Sequence, residues 1–194
     1  MIPLRSKVIR LASQLPKGSK ERKQLLSALE VNIPGKHILD NAKVYGHAQV
    51  SDDARVSDQA QVSGSARVTD DARVSGYAKV SGRAVISDNA VVEQEAEVSD
   101  NVVVSDHALV DGQASVSSNA KVSGHARVTD GAIVSGNVEV SEKARVGGNA
   151  KVFGNAKVLG REDIGGTAVI LGGVWKGFGV PLLRGRWKAP GVPA

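Results

Sequence analysis

The chain has 194 residues, no cysteine and 3% aromatic residues, although 41% of it is hydrophobic. The lack of cysteine excludes disulfides and thiolate chemistry, and so few aromatic residues argue against a deep aromatic-lined ligand pocket. The net charge of +5 is unevenly placed, because residues 1–30 hold seven Lys or Arg and residues 174–194 hold four, which leaves a slight acidic excess between them.

The segment 1–35 predicts two short amphipathic helices, the first beginning near Pro3 and ending before Pro16. Neither helix is long enough to be stable alone, so we expect their apolar sides to dock either on the following repeat, as a cap, or on a protein partner, as an anchor. The basic residues lack a groove-reading motif, so we expect no nucleic acid partner. The predicted docking residues are Leu4, Val8, Leu11, Leu15, Leu25, Leu26 and Leu29.

From Ala42 to Gly173 a six-residue unit repeats without insertion. In each unit an Ala and a Val stand two apart, which places both on one side of a strand while the residue between them faces out. Ser, Gly, Asp, Asn and His fill the next three positions, and these are residues that form turns. Each unit therefore predicts a short strand followed by a corner, and a degenerate copy at residues 36–41 starts the same register.

This pattern of a small residue, any residue, Val or Ile and a tight turn resembles the hexapeptide-repeat superfamily. The resemblance implies an all-β solenoid, a left-handed parallel β-helix with three flat sheets and eighteen residues per coil. It would span residues 36–173 in about seven coils, roughly 35 Å at the usual strand spacing, after a short α-helical segment. The regular units are similar to those of non-enzymatic bacterial and prophage-type solenoids.

Residues eighteen apart stack in such a coil, and two stacked outward pairs are apolar, namely Val85 with Val103 and Val91 with Leu109. They lie on adjacent faces and predict one apolar band, with residues 93–95 as a corner between two of its strands. A clustered apolar patch is typical of an interface. We predict that this band is the self-association surface of a homo-oligomer, with a trimer favoured because proteins of the resembling superfamily are commonly trimeric.

The end of the repeat departs from the pattern. Glu162 takes an inward position, so we expect the coil to open or distort there. Residues 174–194 predict a Gly- and Pro-rich basic tail in which Trp175, Phe178 and Trp187 cap the last coil or contact a neighbouring subunit.

Four histidines could carry chemistry: His37, His47, His107 and His125. Acyltransferases of the resembling superfamily use a histidine base between subunits, and its γ-type carbonic anhydrases bind zinc through histidines of which two are five apart. No histidines here have that spacing, and the last three occupy turn positions beside which the sequence allows no pocket to be named. We therefore assign no catalytic residue, no metal ligand and no cofactor.

One column of carboxylates recurs every eighteen residues, at Asp52, Asp70, Asp88 and Asp106. Stacked carboxylates could attract calcium. Glycine also occurs in this position of the unit, so turn chemistry is the favoured explanation, and an ion at this corner stays open.

These features predict a non-enzymatic structural, assembly or binding protein, an oligomeric rod held in a larger complex by its N-terminal helices. Residues 11–19 resemble leaders of phage and bacterial assembly proteins, so a phage virion component is the most concrete candidate. The alternative is an acyltransferase-like enzyme with a site between subunits. There is no signal peptide or long apolar run, so we expect no membrane partner and a location in the cytoplasm or a virion.

Overall fold

A computed structural model describes residues 38–176 and 186–187. The chain divides into two compact units, Met1–Lys36 and His37–Ala194. All described residues belong to the second unit. Several predicted features lie outside the described residues. They are the N-terminal helices with their seven docking residues, His37 and Phe178.

The described residues form three parallel sheets. The first sheet contains β1 (Lys43–Val44), β4 (Gln61–Val62), β7 (Lys79–Val80), β10 (Glu97–Val98), β13 (Ser115–Ser118), β16 (Ile133–Gly136), β19 (Lys151–Val152), β22 (Val169–Ile170) and β24 (Arg186–Trp187). The second contains β2 (Gln49–Val50), β5 (Arg67–Val68), β8 (Val85–Ile86), β11 (Val103–Val104), β14 (Lys121–Val122), β17 (Glu139–Val140), β20 (Lys157–Val158) and β23 (Val174–Trp175). The third contains β3 (Arg55–Val56), β6 (Arg73–Val74), β9 (Val91–Val92), β12 (Leu109–Val110), β15 (Arg127–Val128), β18 (Arg145–Val146) and β21 (Asp163–Ile164).

Each strand from β1 to β22 pairs with the strand eighteen residues away, as Lys43 does with Gln61. Consecutive strands along the chain therefore belong to different sheets, and three of them complete one coil. This arrangement confirms the predicted β-solenoid of about seven coils. No helix occurs in the described ranges, and the left hand of the coil stays a prediction.

The core is a thin stack of small side chains. The Ala before each strand and the second residue of the strand are almost all fully buried, as Ala96 and Val98 are, whereas the residue between them faces solvent. Backbone N–H groups bond to the next coil, for example from Glu97 to the carbonyl of Ala114 at 2.9 Å. Burial of Ala and Val together with this ladder holds each coil on its neighbour.

The corners require a left-handed backbone, which glycine adopts most readily. Gly82 has φ of 70°, and the same conformation occurs at Asp88 with φ of 58°. The Asp88 carboxylate Oδ2 accepts a hydrogen bond from the backbone N–H of Asp106 in the next coil at 3.2 Å. Aspartate therefore replaces glycine at corners where its side chain can bind the following coil.

We expected the coil to open or distort at Glu162, and this prediction was wrong. Glu162 is buried, yet its carbonyl accepts a hydrogen bond from Arg145 N–H at 2.7 Å, and β21 pairs with β18 in the regular register. Because β21 is the final strand of the third sheet, this side chain has no further described strand of that sheet stacked beyond it.

The repeat also continues past residue 173, where we expected it to end. Strand β23 pairs with β20 after a spacing of 17 residues, with Lys157 opposite Val174. Gly172 and Gly173 have φ of 153° and 85°, which allows the shortened corner. Strand β24 then pairs with β22 and brings the backbone of Trp187 opposite Ile170.

Candidate interaction surfaces

The apolar band consists of Val85 and Val103 on the second sheet and Val91 and Leu109 on the third. Val85 pairs directly with Val103, and Val91 with Leu109. All four side chains are half-buried in the single chain. The structure therefore brings the predicted residues together on adjacent sheets, while their role in self-association stays a prediction.

The edge of the apolar band differs from the one expected. Glu93, Gln94 and Glu95 form the corner between β9 of the third sheet and β10 of the first, so they do not join the two halves of the band. The corners that follow β8 and β11 join them instead. Their exposed tips are Asp88 with Asn89, and Asp106 with His107. The predicted corner was wrong because the strands that carry Val85 and Val91 are consecutive along the chain, so the corner between these two strands is the shared edge.

Two pairs of arginines flank the apolar band on the third sheet. Arg55 pairs with Arg73 on the side of the first coils, and Arg127 pairs with Arg145 on the side of the last coils. The four side chains are exposed. None of them has an ion pair within the described residues.

Beside the second arginine pair, the surface forms two adjoining depressions, of about 260 Å³ and 280 Å³, which share His125 and Lys143 in their walls. Arg161 lines the first, and Arg127 and Arg145 line the second. We call this surface the basic groove, defined by His125, Arg127, Lys143, Arg145 and Arg161. No pocket could be named beside a histidine from the sequence, whereas the structure places His125 in the wall of both depressions.

The rings of His107 and His125 stack at the edge between the second and third sheets. Their centroids are 4.9 Å apart and their planes are inclined by 28°. This confirms the stacking expected from their spacing of eighteen residues. His47 lies at another corner, between the first and second sheets.

The column of aspartates at this same edge is accounted for by contacts within the solenoid. Asp70 Oδ2 accepts from Asp88 N–H at 3.3 Å, and Asp106 Oδ2 accepts from Gly124 N–H at 2.9 Å. Asp52 Oδ2 accepts from the Ser51 hydroxyl at 2.9 Å. Among the described residues no group of three or more His, Cys, Asp and Glu side chains could hold a metal ion. Turn formation therefore explains the column.

Trp175 occupies an inward position in β23, where earlier strands carry Val. It is 5% exposed, and its indole Nε1 donates to the carbonyl of Gly172 at 2.9 Å. Lys176, which follows it, pairs with Glu142 at 3.1 Å. The tryptophan thus extends the apolar core into the last described coil, and a contact with a neighbouring subunit stays a prediction.

Two stacked pairs of charged residues on the other two sheets are complementary. Lys79 and Glu97 lie 2.8 Å apart on the first sheet, and Lys157 and Glu139 lie 2.9 Å apart on the second. The Glu97 carboxylate raises the pKa of Lys79 by accepting its hydrogen bond and by its charge. These exposed pairs stabilise the solenoid little.

The basic groove was missed because its members come from two different columns. Arg127 and Arg145 belong to outward strand positions, whereas His125, Lys143 and Arg161 belong to the corners before β15, β18 and β21. We aligned the outward strand positions and the corner aspartates at intervals of eighteen residues, but not the basic residues of the neighbouring corner position. Arranging the corner positions in the same way would have shown the change from Asp53 and Asp71 to Lys143 and Arg161 along one edge.

Comparisons with known proteins identify the repeat. The model of the family described as the YdcK Beta solenoid repeat matches residues 48–64, 60–76 and 120–141. All three matched segments lie in regular coils, which contain β2 to β6 and β14 to β17. A search of the curated proteins gave no significant match. In the part of the chain that the structure describes, no helix has the length and apolar character that crossing a membrane requires.

Proposed function

We propose that this chain, a β-solenoid of the hexapeptide-repeat type, is a non-enzymatic structural protein that assembles with further copies of itself through the apolar band. The observation that carries the proposal is the placement of Val85, Val91, Val103 and Leu109 in outward positions of paired strands on adjacent sheets. Elsewhere these sheets present mainly charged or amide side chains. Apolar surface of this kind is stabilised by burial against a partner.

The regularity of the coils supports a structural role. Strands begin every six residues from β1 to β22, and no longer loop interrupts them. Enzymes of the resembling superfamily usually build their site with such a loop. His125 does line the basic groove, so the acyltransferase-like alternative predicts that a His125→Ala variant loses an acyl-transfer activity present in the parent.

The proposal extends to a larger assembly. The predicted apolar sides of the segment 1–35 would attach the solenoid to a protein partner, for which a phage virion is the setting that the sequence resemblance favours. Deletion of residues 1–35 should leave the solenoid folded and abolish its incorporation into that complex. Retention of both solubility and incorporation would contradict the anchor.

The apolar band is tested by a double variant, Val91→Asp with Leu109→Asp. Both positions face outward, so the core remains and the circular dichroism spectrum should not change. We expect the mass in solution to fall to that of the monomer, because two buried carboxylates would oppose the interface. The matched control is Lys43→Asp with Gln61→Asp, a stacked outward pair on the first sheet.

The oligomer should survive in the control variant. A monomeric parent, or a Val91→Asp, Leu109→Asp variant that keeps the parent's mass, would contradict the proposal. The same mass measurement tests the favoured trimer, because it gives the number of copies in the parent assembly.

A further inference from the structure

In the basic groove, cationic side chains of neighbouring coils lie next to one another. Arg127 and Arg145 are direct neighbours on β15 and β18. Lys143 and Arg161 stand one coil apart at the adjoining corner. Strands in a sheet lie about 4.8 Å apart, and like charges placed opposite each other are destabilising. This arrangement contrasts with the stacked pairs Lys79–Glu97 and Glu139–Lys157, in which opposite charges meet.

The first coils of the same edge provide an internal comparison. There Arg55 and Arg73 take the same outward positions of the third sheet as Arg127 and Arg145 do. The residue two positions before each arginine is Asp53 or Asp71 in the first coils, but His125 or Lys143 in the last. This corner position therefore carries two carboxylates beside the first arginine pair but basic groups beside the second, where Asp163 is the one acidic neighbour in the outward column of the third sheet.

Acidic residues also border the basic groove. Asp163 on β21 lies opposite Arg145 in the parallel register, although the two form no ion pair among the described residues. Glu142 lines the depression that contains His125 and Arg161. Its carboxylate Oε1 accepts a hydrogen bond from Lys176 Nζ at 3.1 Å. Arg127, Lys143, Arg145 and Arg161 have no ion pair among the described residues. The groove therefore offers a ligand four cationic groups that form no ion pair among the described residues, and it has a concave surface between them.

We propose that the basic groove binds an oligophosphate group, such as a diphosphate or a triphosphate. Guanidinium groups match phosphate oxygens in a bidentate geometry, and lysine supplies a compact charge. Three stacked coils extend the cations over about 10 Å along the solenoid, which suits a chain of two or three phosphates better than a single anion. A ligand of this charge would remove the repulsion between the stacked cations.

The test is calorimetric titration of the full chain with inorganic tripolyphosphate at low salt. We expect binding that weakens as salt is added, because surface charges are screened. The variant Arg127→Gln with Arg145→Gln should bind at least about tenfold more weakly, since loss of charge-assisted hydrogen bonds has effects of this order. Lys143→Gln should weaken binding as well. Circular dichroism should show that both variants keep the parent fold, because the three positions are exposed.

The matched control is Arg55→Gln with Arg73→Gln, which removes the same two charges from the same sheet. This variant should keep the parent's affinity. Equal losses in the two double variants would show a general charge effect and overturn the proposal, as would a parent that does not bind tripolyphosphate. Citrate serves as a second probe. Binding of citrate as strong as that of tripolyphosphate would contradict the assignment to phosphate.

Discussion

An aspartate at a corner combines an unfavourable backbone conformation with a favourable contact. Among the described residues other than glycine, eleven have positive φ, and eight of these are aspartates. The left-handed conformation costs an ordinary residue about 1–2 kcal/mol. A hydrogen bond to a charged group contributes about 1.5–3 kcal/mol, and Asp106 Oδ2 makes one with Gly124 N–H in the next coil. The contact offsets the cost, which explains why aspartate and glycine share this position.

Asp111 is a carboxylate in an unfavourable place. Burial raises its pKa above the ordinary value of 3.8, as do the neighbouring charges of Glu93 and Asp130, whereas Arg127 lowers it. The folded chain therefore holds this proton more tightly than the unfolded chain does. The free energy of unfolding is therefore unaffected by this group below 3.8, where both states are protonated, and it falls as pH rises from 3.8 through the raised pKa of the folded state.

We predict that Asp111→Asn raises the melting temperature at pH 7, because it removes a desolvated charge beside two others. The gain should shrink as pH falls, and it should vanish below 3.8, where Asp111 is protonated in both states. Thermal unfolding followed by circular dichroism across this pH range measures the effect. A lower melting temperature at pH 7 would contradict the prediction.

Asp130→Ala is the contrasting control for that experiment. Asp130 Oδ2 accepts hydrogen bonds from Gly148 N–H at 2.9 Å and from the Thr129 hydroxyl at 3.1 Å. Its removal should lower the melting temperature at pH 7, since the bond to Gly148 holds one coil to the next and the bond to Thr129 orders the corner.

The structural element of this protein is the coil, and neighbouring coils are joined by more than backbone bonds. Asn101, Asn119, Asn137 and Asn155 form a ladder at the corner between the first and second sheets. Each side-chain amide donates to the next side-chain carbonyl, at 3.1, 3.1 and 3.0 Å. Because each coil contacts only the coils beside it, stability should be close to a sum over coils.

This independence predicts that one whole coil can be removed. Deletion of residues 61–78 joins Ala60 to Lys79, so the inward and outward positions stay in register. The shortened chain should keep its β-sheet circular dichroism spectrum and unfold at a somewhat lower temperature, since one nearest-neighbour interface is lost. The apolar band and the basic groove lie outside the deletion, so the oligomer should persist.

The control is deletion of residues 61–77, which leaves one residue too many. Ala78 then moves into an outward position and Lys79 into an inward one, and every following side chain changes face. The last coil accommodates a change of one residue, there a shortening, at Gly172 and Gly173, and no glycine pair stands at residue 60. We expect this variant to be insoluble or unfolded. If it melts like the eighteen-residue deletion, coil register does not govern folding.

Over the whole solenoid, the sequence was sufficient to predict the fold and the outward side chains that stack every eighteen residues. Small inward residues recur every six positions and therefore fix which side chains face out. Val85 and Val103 could be paired in advance for this reason. The basic groove could not, because it depends on the shape left between exposed side chains of two columns, such as Lys143 and Arg145. The strand at Val174 was missed because two glycines shift the register by one residue.

The constant spacing between paired strands has a consequence for how the protein folds. Nearly every strand contact joins residues eighteen apart in a chain of 194. The ratio of this separation to the chain length lies in the range of relative contact order typical of helical proteins, about 0.07–0.12. Most β-sheet proteins must close long loops before their strands meet, and they fold slowly for that reason. Here every coil closes a loop of the same short length. Folding can therefore start at any coil and spread in both directions, so the last strand to form depends on where nucleation occurred and not on the order of the chain.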